Sequence, residues 1–127
     1  MLWTARSGLH SSGLLRSLFA QHGVGGNVEL IVGDSQRQRS AQVGRFDLLF
    51  IDGDHSYDGC MRDAENWFPL LEPGGHVIFH DAYQGSEVQP AAIDFIARHR
   101  CRVVVSPYIP AHHWDTPTGS IVHLIKA

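Results

Sequence analysis

Phe46-Asp-Leu-Leu-Phe-Ile-Asp-Gly-Asp-His-Ser-Tyr57, with Pro73-Gly-Gly-His-Val-Ile-Phe-His-Asp81 downstream, decides the reading of this chain. Each stretch holds a short apolar run of branched and aromatic residues that ends in acids and a histidine. Runs of that length bounded by Gly or polar residues read as buried strands. In an open α/β sheet, ligands collect outside the carboxyl ends of the strands, so Asp52, Asp54, His55, His80 and Asp81 stand where chemistry is expected.

Working outward, Ser56 or Asp58 can cap a helix over about 59–71 that buries Met61, Trp67, Leu70 and Leu71 and leaves Arg62 and Asp63 on a solvated face, with the alternative that Asp63 caps or braces the turn. Pro73-Gly74-Gly75 then turns the chain into a strand over 76–79. Upstream, an irregular segment 1–11 precedes a helix over 12–22, with Leu14, Leu15, Leu18 and Phe19 at helical spacing, Ser11 or Ser12 as N-cap and Gly23 as the stop. Asn27-Val-Glu-Leu-Ile-Val-Gly33 reads as a further buried strand leading into Asp34-Ser35-Gln36. Downstream, Pro90 suits the first turn of a helix carrying Ile93, Phe95 and Ile96, followed by strands over 102–105 and 120–125. Strands alternating with helices predict an α/β fold with a mostly parallel sheet. The final strand, reached without an intervening helix, is expected to be antiparallel.

The chain has 127 residues, 43% hydrophobic and 18% charged, which suits one domain over 1–127 with a real core. With 13 acidic against 10 basic residues and no Lys/Arg cluster, nucleic acid is not the expected partner. The apolar runs fall short of the roughly 20 residues a membrane span needs, and the first twenty residues lack a signal-peptide core, so a soluble, cytoplasmic protein is expected. Cys60 and Cys101 fit no metal-ligand spacing and read as two buried thiols.

Asp52 and Asp54, two apart past one strand, together with His80 and Asp81 past its neighbour, offer oxygens and an imidazole to one crevice. Carboxylates with open positions suit a hard divalent cation such as Mg²⁺, and the imidazole extends the range to Mn²⁺ or another transition ion. His55 can act as general base on a hydroxyl. The competing reading has Asp52 and Asp81 capping helices or turns and the two histidines bonding loop carbonyls.

The run from Phe46 to Tyr57, followed by Asp63, Trp67, Pro69-Leu-Leu-Glu-Pro-Gly-Gly75 and Phe79-His-Asp81, resembles class I S-adenosylmethionine-dependent methyltransferases over about residues 12–125. It is most similar to the metal-dependent O-methyltransferases of the macrocin and macrolide-sugar type. The resemblance implies a Rossmann-like methyltransferase sheet, S-adenosylmethionine as cofactor, Asp52, His80 and Asp81 as metal ligands, and His55 as base. His80 stands where the family places an acid or amide. Asp54 would lie near the cofactor, and Asp34, Ser35 and Gln36 would face its adenine ring. The implied reaction is attack of a small molecule's hydroxyl oxygen on the sulfonium methyl.

The family's first strand, its Gly-rich turn and its second strand are not found, since only about eleven residues precede the helix. Gly8-Leu-His-Ser-Ser-Gly13 makes at best a degenerate glycine turn. The chain therefore reads as a sheet incomplete at its N-terminus, whose open edge calls for a second copy or a partner chain. Two other functions compete: a truncated, non-catalytic remnant, and a metal-dependent phosphoesterase drawing on Asp52, Asp54, His55, His80 and Asp81 with His112 and His113. His112-His113-Trp114-Asp115 is either an acceptor-contacting loop or ordinary surface. Trp67 is expected in the core, while Tyr57 and Tyr83 either line the acceptor pocket or pack its lip.

Overall fold

Strand β1 (Phe46–Ile51) and strand β2 (Leu71–Phe79) pair in parallel with Ile51 opposite Phe79, so their carboxyl ends finish side by side. This geometry comes from a computed structural model that describes residues 9–37, 43–106 and 120–127. The expectations for His112, His113, Trp114, Asp115 and the first eight residues lie outside them. Helix α1 spans Leu9–Gln21, α2 Tyr57–Trp67 and α3 Val88–Arg98, with β3 at Cys101–Val105 and β4 at Val122–Lys126. The sheet order is β1-β2-β4-β3, and β4 runs antiparallel to both neighbours. The other three strands thus share one direction, as the element order predicts.

Alternation along the strands decides which face is buried. Leu49, Ile51, Val77, Phe79, Val122 and Leu124 pack against Cys60, Met61, Ala64 and Trp67 of α2 and Val88, Ala91, Ala92 and Phe95 of α3. Phe95 meets Phe68 edge-on at 5.0 Å and Phe79 at 5.5 Å, which joins helices and sheet in one aromatic cluster. Leu48, Phe50, Ile78 and Ile125 alternate with the buried set and stay half-exposed. Lys126 donates from Nζ to the Phe68 and Leu71 carbonyls at 3.0 and 2.7 Å, and its charge lies 4.6 Å from the Phe68 ring centre. The cysteines are free, Cys60 buried and Cys101 half-buried.

Several boundaries move for identifiable reasons. α1 begins at Leu9, upstream of the expected Ser11 or Ser12 cap and inside the segment expected to be irregular. A serine costs only a few tenths of a kcal/mol inside a helix, so neither one stops it. Its end is as expected: Gly23, at φ 66, lets Val24 N–H donate to Phe19 O and Gly23 N–H to Ala20 O, a Schellman closure. Helix α2 starts on a Ser56 cap and stops at Trp67 rather than 71. Phe68 keeps α-helical dihedrals at φ -54 and ψ -36, but Pro69 has no N–H to donate to Glu65 O, and Phe68–Leu70 tightens into a 3-10 turn.

The expected strand over 27–33 is not formed. Gly25–Asn27 is a short 3-10 turn, and Val28 and Val32 are exposed. A strand exists through its neighbour's hydrogen bonds, and this segment pairs with none of the four strands. Arg16 instead donates to Leu30 O at 3.4 Å. Of the two readings of Asp63, a solvated helix face or a brace on a turn, the structure shows the second: it is only 4% exposed and accepts from the Ser35 hydroxyl, while Arg62 beside it is exposed.

Candidate functional site

At the carboxyl ends of β1 and β2, the ladder extends one step past the strands, with His80 N–H donating to Ile51 O at 3.0 Å. That bond sets Asp52 and His80 side by side. His80 Nδ1 lies 3.1 Å from Asp52 Oδ1 and 3.3 Å from Asp81 Oδ2. His55 Nε2 approaches from the loop before α2, 3.4 Å from Asp52 Oδ1 and 3.6 Å from Asp81 Oδ2. Two carboxylates and two imidazoles therefore share one partly solvated crevice.

Asp81 reaches that crevice from an uncommon backbone conformation. Its φ is 55, the one positive value at a non-glycine residue among the described residues. Left-handed backbone is tolerated by Asp better than by most residues, and such geometry persists only where the surroundings hold it. Ser120 is the holder: its hydroxyl donates to Asp81 Oδ1 at 3.2 Å, and its carbonyl accepts from Ala82 N at 2.8 Å. Phe50, with its ring 5.9 Å from that of His80, forms part of the crevice wall.

One donor atom each from Asp52, His80 and Asp81 lies within 4.8 Å of the other two. Two carboxylate oxygens and an imidazole nitrogen, open to solvent on one side, suit a divalent ion that completes its shell with water or substrate oxygen. The oxygens fit Mg²⁺, and the nitrogen favours Mn²⁺ or a later transition ion. Asp54 is not in this group. It accepts from Ser56 N–H at 3.0 Å and lies against Gly59, bracing the N-terminus of α2.

Contacts from α3 close the other side of the loop. Glu87 accepts from Tyr57 N–H at 2.9 Å and Asp94 from the Tyr57 hydroxyl at 2.5 Å. The Asp94 hydrogen bond, then burial, then the Asp94 charge push the Tyr57 phenol above its ordinary range. Tyr57 and Tyr83 are both half-buried against the core. Glu87, Asp94 and Ser120 went unnoticed at sequence level because each acts across some 30 residues or more with no local motif.

Asp34, Ser35 and Gln36 form a separate turn at the far end of α2. Asp34 Oδ1 accepts from Gln36 N–H at 3.0 Å, and its other oxygen is 3.4 Å from Arg37 Nε. Ser35 is held by three residues of α2. Its hydroxyl donates to Asp63 Oδ1 at 2.6 Å, while its carbonyl accepts from Asn66 Nδ2 at 2.8 Å and Trp67 Nε1 at 3.1 Å. The buried Trp67 is thus a core residue that also fixes this turn.

Known proteins share this arrangement of elements. A putative methyltransferase from Streptococcus mutans, solved in complex with SAH, superposes with a TM-score of 0.69 at 18% identity, covering 97% of this chain and 74% of that one. A putative caffeoyl-CoA O-methyltransferase from Staphylococcus aureus superposes at 0.70 with 16% identity, over 98% and 64%. At these identities the likeness is one of fold, an α/β methyltransferase-type sheet. An uncharacterised protein of Acanthamoeba polyphaga mimivirus is 30% identical over 64 residues, half of this chain but 28% of its own length. An uncharacterised protein of Sinorhizobium fredii is 51% identical over 35 residues, 28% of this chain and 4% of its own. The chain thus spans only a small part of the curated relatives it matches. The family profile described as a methyltransferase domain matches residues 4–82, more than half of the chain and all of the segment from α1 through Asp81. The chain belongs to that methyltransferase-domain family.

Proposed function

We propose that this chain transfers a methyl group from S-adenosylmethionine to a hydroxyl oxygen of a small molecule, with a divalent metal, Mg²⁺ first, held by Asp52, His80 and Asp81. The observation that carries the reading is the meeting of those three donors and His55 at the carboxyl ends of two adjacent parallel strands, in a chain of the methyltransferase-domain family. The acceptor oxygen forms a bond to the methyl carbon as the carbon–sulfur bond breaks, leaving S-adenosylhomocysteine. His55 Nε2 takes the hydroxyl proton, with Asp52 Oδ1 and Asp81 Oδ2 at 3.4 and 3.6 Å beside it. A bound divalent ion would supply Lewis acidity, lowering the acceptor hydroxyl's pKa. In this reading the Asp34-Ser35-Gln36 turn meets the adenine ring and Asp54 lies near the cofactor. The protein works in the cytoplasm, with the β1 edge covered by a second copy or a partner chain.

Calorimetric titration of S-adenosylhomocysteine into the folded protein, with and without Mg²⁺, tests the cofactor half. Micromolar binding supports it, whereas no binding by a folded chain favours a remnant or a subunit that needs a partner. Turnover on a panel of sugars and phenols tests the rest. Asp52→Ala and Asp81→Ala should each abolish metal-dependent turnover, and full activity in either variant would refute the metal site.

A further inference from the structure

The turn over residues 33–36 lacks the support a strand would give it, because residues 28–32 are not part of the sheet. It is nevertheless fixed, by side chains at three positions of α2 spaced i, i+3 and i+4, which lie on one helical face. All three contacts converge on Ser35: Asp63 on its hydroxyl, Asn66 and Trp67 on its carbonyl. Asp63 is a buried carboxylate, and a buried charge is kept only where donors satisfy it. The same helix begins at the loop that carries Asp52 and His55, so one rigid rod spans the turn and the acid cluster. The rise of α2 from Tyr57 to Asp63 sets them about 9 Å apart along its axis.

We infer that Asp63, Asn66 and Trp67 are positioning residues that hold the Ser35–Gln36 turn for recognition of the cofactor's adenine base. The inference rests on the proposed methyltransferase reading and deepens it. The donors on the Ser35 carbonyl, with the Gln36 N–H bond to Asp34, fix the Ser35–Gln36 peptide plane, and the acceptor on the hydroxyl fixes the Ser35 side chain. The edge that the turn presents to a purine is then set by α2. Base discrimination is therefore a property of this clamp, distinct from the binding of the rest of the cofactor.

The test compares S-adenosylhomocysteine with S-inosylhomocysteine, which replaces the 6-amino group by an oxygen, in calorimetric titrations of the 127-residue chain. Ser35→Ala, Asn66→Leu and Trp67→Phe each remove one clamp contact, and Asp63→Asn keeps an acceptor for the Ser35 hydroxyl. Wild type should prefer the adenine ligand. Ser35→Ala and Asn66→Leu should weaken adenine-ligand binding by about five- to tenfold, the loss of one hydrogen bond's net contribution, with little change for the inosine ligand. Asp63→Asn should retain most of the preference. Trp67→Phe keeps the ring in the core and separates the lost N–H from lost packing. Parallel loss for both ligands, or preference unchanged in folded Ser35→Ala and Asn66→Leu, would overturn the inference while leaving the cofactor reading intact. Failure of wild type to bind either ligand would overturn the cofactor reading and the inference with it.

Discussion

Replacing Gly59 by Ala sets helix propensity against packing, and the structure decides the sign. Gly59 lies within the first turn of α2, where Ala ordinarily stabilises by about 1 kcal/mol. A Cβ at this position would stand 2.3 Å from Asp54 Cγ and 2.5 Å from Asp54 Cβ. The second of these atoms is next to the backbone, so rotating the carboxylate does not relieve the contact. The loop over 52–56 must move instead, at the cost of about 1–3 kcal/mol for overpacking. Displacing Asp54 also loses its bond from Ser56 N–H, about 1 kcal/mol more. The net is a destabilisation of about 1–3 kcal/mol, or a Tm lower by roughly 4–12 °C for a domain of this size. Gly13 is the internal control: it lies within α1, and a Cβ there meets nothing within 4 Å. Thermal unfolding followed by circular dichroism should lower Tm for Gly59→Ala and leave it level or raise it for Gly13→Ala. A Gly59→Ala protein as stable as wild type would refute the argument that Asp54 and Gly59 are in obligatory contact.

Burial, with the Asp63 and Asp54 charges adding to it, pushes the Cys60 thiol from 9.0 to about 12. The stability carried by the protonated thiol is fully present below pH 9 and lost as pH rises toward about 12, so Cys60→Ala should flatten alkaline denaturation in that window; native-state alkylation at pH 8 followed by mass spectrometry should leave Cys60 unmodified. Lys126→Met keeps the aliphatic stem but strips the Phe68 and Leu71 carbonyls of their cationic donor, and urea unfolding should show a loss of about 2 kcal/mol. An unchanged midpoint would mean that water replaces the ammonium at no cost.

Elements with their own local pattern were legible in the sequence. β1 and the 76–79 part of β2 are apolar runs with clear ends, although β2 starts at Leu71, upstream of the expected turn at 73–75; Gly23 and Ser56 act through neighbours a few residues away, and Pro69 shortens α2 because it has no N–H to donate. Residues 27–33 have equally good strand composition and form no strand, because pairing partners are a property of the whole sheet. The same distinction runs through the site. Asp52, His55, His80 and Asp81 were visible because they sit at strand ends, and the ladder brings them together. Helical periodicity alone does not distinguish a buried, turn-bracing carboxylate at Asp63 from a solvated one, because its partner, Ser35, is 28 residues away. Ser120 is farther still, 39 residues from Asp81.

The position of β4 has a consequence for how the chain reaches this state. Among the described residues β3 joins the sheet through β4 alone, although β4 follows it in sequence and is separated from β2 by more than forty residues. On an emerging chain, β1, β2 and the helices between and after them can assemble early, while β3 waits with both edges open. Insertion of β4 then completes two ladders in one step. Closure of these two ladders should therefore be a slow, non-local step, and a nascent chain stalled before Val122 exposes unpaired edges to aggregation.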